Sequence, residues 1–231
     1  MPVTGSLQRV VSPLPLMLAL TFSTGIVDAV GYLGLDRVFT GNMTGNVVIL
    51  AMALTGADGL PVVGPVLALL GFAAGAAAGG RALRRAAVGW SAATSGILSA
   101  VGACLVAVTV ILAVPGLDEP RKLLVTTLLG VAMGAQAAAA RQLAVKDVTT
   151  VVVTSTITAL ASDSFLGSGA GSHWRRRGSA VALIMAGALV GALLLQLHLA
   201  AGPALAALVT LAVTWSGHRG RVRPPEPVRT A

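Results

Sequence analysis

The 231-residue sequence offers few residues able to do chemistry, and Asp28 is the sharpest. It lies inside the apolar run 14–34, about 10 Å along a helix from its end. A carboxylate within lipid costs on the order of a few kcal/mol, and an intramembrane ionisable residue is by default a functional candidate. Asp28 is therefore expected to carry a proton. The plainer alternative is a structural pair, with Arg37 as its counter-ion or Asn46 as a hydrogen-bond donor. A second polar group follows, with Asn42, Thr44 and Asn46 set among Gly41 and Gly45. Asparagine and threonine can cap the free N–H groups of a helix that starts inside the membrane, and such a start also attracts polar solutes. Thr150, Thr154 and Thr156 make a later, threonine-rich counterpart. Together these six residues are the expected solute-binding set. Threonines that only cap and join helices would look the same in sequence.

Other chemistry is not indicated. His173, His198 and His218 lie far apart, and Cys104 is the single cysteine. No nucleophile–base pair, paired carboxylates or metal-ligand cluster can be read, so the expectation is no enzyme, no cofactor and no bound metal. Asn42-Met43-Thr44 matches a glycosylation sequon but falls where lipid is expected, so the match is taken as chance.

These residues need elements to position them, and composition says which. Hydrophobic residues make up 55% of the chain and charged residues 10%, against roughly 25% charged in a soluble domain. A chain so poor in charge needs lipid as its solvent. Eight apolar segments fall at 14–34, 38–54, 61–82, 93–114, 121–142, 147–163, 178–197 and 199–216. Most approach the ~20 residues that span a bilayer. The second and sixth are shorter, and polar in their first halves. The first apolar run contains Asp28 and has no clear cleavage site, so it reads as a span and not as a signal peptide.

The two sets of four segments resemble copies, 14–114 and 121–216. Gly25-Ile-Val-Asp-Ala aligns with Gly134-Ala-Gln-Ala-Ala, placing Ala137 opposite Asp28. The block 38–46 aligns with 148–156, and Gly71 and Gly75 align with Gly187 and Gly191. Gly71, Gly75 and Gly79 form a small-residue stripe suited to close packing, between repeats or between subunits of a homo-oligomer.

Charge sets the topology. If 38–54 and 147–163 enter and leave by one face, thirteen of the basic residues lie inside and three outside; if all eight segments cross, the split is ten to six. The positive-inside rule selects the first arrangement. The expected fold is thus an all-α membrane protein with six transmembrane helices, two broken or re-entrant segments, and an inverted 3+3 repeat. It has a cytoplasmic segment 1–13, one membrane domain 14–216 and a basic cytoplasmic tail 217–231. The arginine clusters then mark cytoplasmic loops, and no nucleic-acid partner is expected.

The residues Gly25-Ile-Val-Asp-Ala-Val-Gly-Tyr-Leu33 and Val38-Phe-Thr-Gly-Asn-Met-Thr-Gly-Asn46 resemble the YoaK family of bacterial membrane proteins, as do Asp147-Val-Thr-Thr150 and 154–163. The resemblance implies a bacterial inner-membrane protein with about six spans and no established substrate. It also implies an asparagine near position 137, where this chain has alanine. The function expected from the residues is transport of a small polar solute. A channel, and a scaffold or sensor that transports nothing, are the alternatives.

Overall fold

The computed structural model describes residues 13–87, 89–143, 153–163 and 174–220. Among these, eight α-helices and no strands are present: α1 (Pro13–Gly34), α2 (Met43–Ala53), α3 (Val63–Leu83), α4 (Ala92–Ala113), α5 (Glu119–Gln142), α6 (Val153–Ser162), α7 (Trp174–Leu197) and α8 (Ala201–Arg219). Runs of Ala, Leu, Val and Gly without polar faces favour helices that are apolar all round. Five of them, α1, α3, α4, α5 and α7, are long and apolar enough to cross a membrane.

Polar side chains mark the helix starts. Ser91 and Thr94 form a reciprocal capping box on α4. The Asp118 carboxylate accepts from the Arg121 amide at the start of α5, and Asn42 accepts from the Gly45 amide at the start of α2. The ends of α4 and α8 are tied together: Trp90 Nε1 donates to Ser95 Oγ at 2.9 Å, and His218 Nδ1 lies 3.2 Å from the same oxygen.

Helices α1, α4, α5 and α8 supply the core through Ile26, Leu105, Leu129, Met133 and Ala206. Helix α3 packs along α5 and α7 along α1, while the short α2 and α6 lean on α3 and α7. Burial separates inner from outer helices. Of the most apolar window, 61% is buried in α1 and 17% in α7, so α1 is the inner and α7 the outer helix of that pair.

One expectation about elements changes. The seventh helix starts at Trp174 and so includes Arg175–Arg177, which were expected in a loop. Nothing in that stretch breaks a helix, and long arginine side chains can reach the headgroups from its first turn. The small-residue stripe on α3 is taken up by close packing within the chain. A Cβ on Gly71 would lie 2.8 Å from the Thr127 carbonyl oxygen, one on Gly75 would overlap the Val131 carbonyl, and Gly79 faces Ala135 and Ala138, all on α5.

The same kind of close contact recurs between α1 and α7: Gly25 closes on the backbone of Ile184 and Ala188, as Gly130 of α5 closes on Ala68 and Phe72 of α3.

Candidate functional site

The site begins where α1 meets the segment leading into α2. The chain leaves α1 through Asp36 and Arg37, which both have left-handed backbones with φ of 65° and 57°. That reversal returns residues 38–42 along α1 as irregular backbone. Such backbone at membrane depth needs internal partners. Asp28 supplies them: its Oδ1 accepts from the Thr40 amide at 2.9 Å, the Gly41 amide at 2.6 Å and the Thr40 hydroxyl at 3.5 Å. The Asn42 amide comes near the same carboxyl without a hydrogen bond of ordinary geometry. Neither partner expected for Asp28 is the one found. Arg37 is exposed, and Asn46 is engaged elsewhere.

Asn46 is fully buried and acts as a clip. Its Oδ1 accepts from the Phe39 amide at 2.9 Å, and its Nδ2 donates to the Phe39 carbonyl at 2.6 Å. The two bonds satisfy one residue of the irregular segment completely, as a paired strand would. Phe39 then stacks on Tyr32, with ring centroids 4.9 Å apart.

Beside this cluster lies a cavity of about 640 Å³. Asp28, Asn42 and Thr44 line one side, and Val153 and Thr154 bring the start of α6 to it. The remaining wall includes Tyr32, Phe39, Val48 and Ile184. Of the expected binding set, Asn42, Thr44 and Thr154 therefore meet at one cavity with Asp28. Asn46 does not line it, because both ends of its amide are committed to Phe39. Thr156 is buried in α6 and is not among the lining residues. Thr150 lies outside the described residues, as do Lys146 and Asp147.

Several participants were not foreseen. Thr40 and Gly41 hold the carboxylate, and a Cβ on Gly41 would lie 3.4 Å from both of its oxygens and 2.8 Å from Thr24 Cγ2. Behind them, Gln136 Nε2 donates to Thr24 Oγ1 at 3.0 Å, joining α5 to α1 inside the protein. Gln136 Oε1 is buried without a hydrogen-bond partner among the described residues. Tyr32 could have been anticipated from its i,i+4 spacing to Asp28, which puts both on one helix face. Backbone donors carry no such sequence signal.

On the other short helix, Arg177 of α7 donates to the Ala159 carbonyl at 3.3 Å and to Asp163 Oδ2 at 2.5 Å. This cation at the carboxyl end of α6 opposes the negative end of the helix dipole. It also holds the Asp163 carboxyl below its ordinary range. Among the described residues, no group of three or more potential metal ligands occurs.

The comparisons with known proteins agree on a family and go no further. Residues 16–216 match the family described as protein of unknown function (DUF1275). Over 149 residues the chain is 33% identical to the UPF0700 transmembrane protein YoaK of Bacillus subtilis (strain 168). That match covers 64% of this chain and 65% of the relative, just under two thirds of the relative's length. No solved structure matches. With its long apolar helices and a match that extends over most of its length, the chain belongs to the DUF1275 family of uncharacterised membrane proteins.

Proposed function

We propose that this protein carries a small polar solute across the bacterial inner membrane, with the cavity between α2 and α6 as its binding site and Asp28 as its proton-coupling residue. One observation carries the reading: a cavity joins the starts of two short helices to an intramembrane carboxylate. Helices of 11 and 10 residues reach about 16 Å, half of the hydrocarbon core. A cavity at their starts would sit near the midplane, where a carrier must hold its cargo while either side opens. The Asp28 Oδ2 atom, which accepts no hydrogen bond among the described residues, is the atom able to take and release a proton.

The architecture proposed with it has six spans, α8 being the sixth, with both termini cytoplasmic. Two facts support that arrangement. The first is the thirteen-to-three division of basic residues. The second is the packing. Exchanging α1 with α5, α2 with α6, α3 with α7 and α4 with α8 turns the α1–α7 contact into the α5–α3 contact. It likewise turns α1–α8 into α5–α4 and α2–α3 into α6–α7, and leaves α4–α8 in place. A packing scheme that survives this exchange is what an inverted duplication produces.

The test is flux in proteoliposomes. The wild-type protein should carry solute with a proton gradient as driving force, and Asp28→Asn should abolish that dependence. Unchanged proton-driven flux in Asp28→Asn would remove Asp28 from the mechanism. Flux that fails to saturate with solute would point to a channel.

A further inference from the structure

Resting on the carrier reading, we infer that the cavity selects a small organic cation, an alkyl- or arylammonium, in preference to anions and neutral analogues. Asp28 is the only charged residue among the described residues that line the cavity. Its Oδ1 is committed to three donors of the segment 40–41, which hold the carboxylate in one orientation. Its Oδ2 takes no hydrogen bond among the described residues, and the carboxyl lies at the cavity wall. A carboxylate held in one orientation at a cavity wall, with one oxygen that accepts no hydrogen bond among the described residues, suits a cation with N–H donors. Gly41 keeps the approach open, since any side chain there would stand 3.4 Å from both carboxylate oxygens.

The rest of the wall fits an amine with an apolar body. The stacked Tyr32 and Phe39 rings border the cavity, and ring faces attract alkylammonium groups. Val48 and Ile184 add apolar surface for a hydrocarbon portion. The open first turn of α2 would favour an anion. That end, however, already faces a carboxylate, so a second negative group would meet Asp28 at close range.

Three ligands of matched shape separate the possibilities: phenethylammonium, 3-phenylpropionate and 2-phenylethanol. Binding is measured calorimetrically to the full-length protein in nanodiscs of uncharged phosphatidylcholine, so that lipid charge does not recruit the amine. The ammonium should bind roughly tenfold or more tightly than either analogue, a difference of about 1.4 kcal/mol. Asp28→Asn should erase the preference. Val48→Trp, at a half-exposed position on the cavity wall, should weaken ammonium binding in a folded protein, which guards against misfolding of the Asp28 variant. Equal affinity for the ammonium and the alcohol, preference for the carboxylate, or no effect of Val48→Trp would each overturn the inference. Ammonium-selective binding without flux in proteoliposomes would leave it standing and remove the carrier reading. Flux of anionic or uncharged solutes alone would do the reverse.

Discussion

Asn46 looks from the sequence like a binding group, yet its amide is engaged by the Phe39 backbone. Two asparagines and two glycines in the block 41–46, set in an apolar stretch, suggest a binding site. The fold gives the two asparagines different work: Asn42 caps α2 at the cavity wall, and Asn46 is buried against the Phe39 backbone. Replacing Asn46 with alanine would strand the part-buried N–H and carbonyl of Phe39, each costing up to about 1–3 kcal/mol. Asn46→Ala should therefore lower the melting temperature in detergent clearly, and Thr44→Ala, at an exposed position, should leave it nearly unchanged. Equal effects would mean that the clip adds little. Asp28 was legible because a lone carboxylate in an apolar run stands out. Its partners were not, since backbone amides from a segment that reverses direction have no signature in residue type.

Helix packing turns on glycines at particular places. On α3, Gly75 meets the Val131 carbonyl of α5 so closely that a methyl group has no room, while Gly80 has nothing within 4 Å. Gly75→Ala should destabilise the protein by about 1–3 kcal/mol through overpacking. Gly80→Ala should be neutral or slightly stabilising, as helix propensity alone predicts. Thermal unfolding of the two variants checks the α3–α5 contact directly. At α6, the clasp between Arg177 and Asp163 has a defined pH response. Arg177 holds the folded carboxyl below the ordinary value of about 3.9. The clasp therefore contributes fully above that ordinary value and is lost as pH falls through the lowered folded one. Protease sensitivity around 153–163 should rise only at strongly acidic pH in the wild type and already at neutral pH in Arg177→Ala. The element boundaries were readable to within a few residues for most spans, because apolar runs in lipid leave little choice but helix. The start of α7 was missed because three arginines were taken to end a span that continues through them.

For the whole molecule, the six-span arrangement predicts which faces the loops occupy. In a Cys104→Ala background, Ala57→Cys should react with an impermeant thiol reagent from outside the cell and Arg85→Cys only from inside. Labelling of Ala57→Cys only from inside, on the face that residue 9 occupies, would rule out a re-entrant α2. Composition, a property of the chain alone, pointed to a helical membrane protein, and its apolar runs marked two segments shorter and more polar than the rest. Lipid imposes those answers on any sequence, since it accepts apolar surface and forbids unpaired backbone. Tertiary structure decided the rest: that the α3 stripe packs against α5, and which polar residues share a cavity with Asp28. Those answers depend on backbone atoms brought within a few ångströms from distant parts of the sequence, and the identity of a side chain does not encode such contacts.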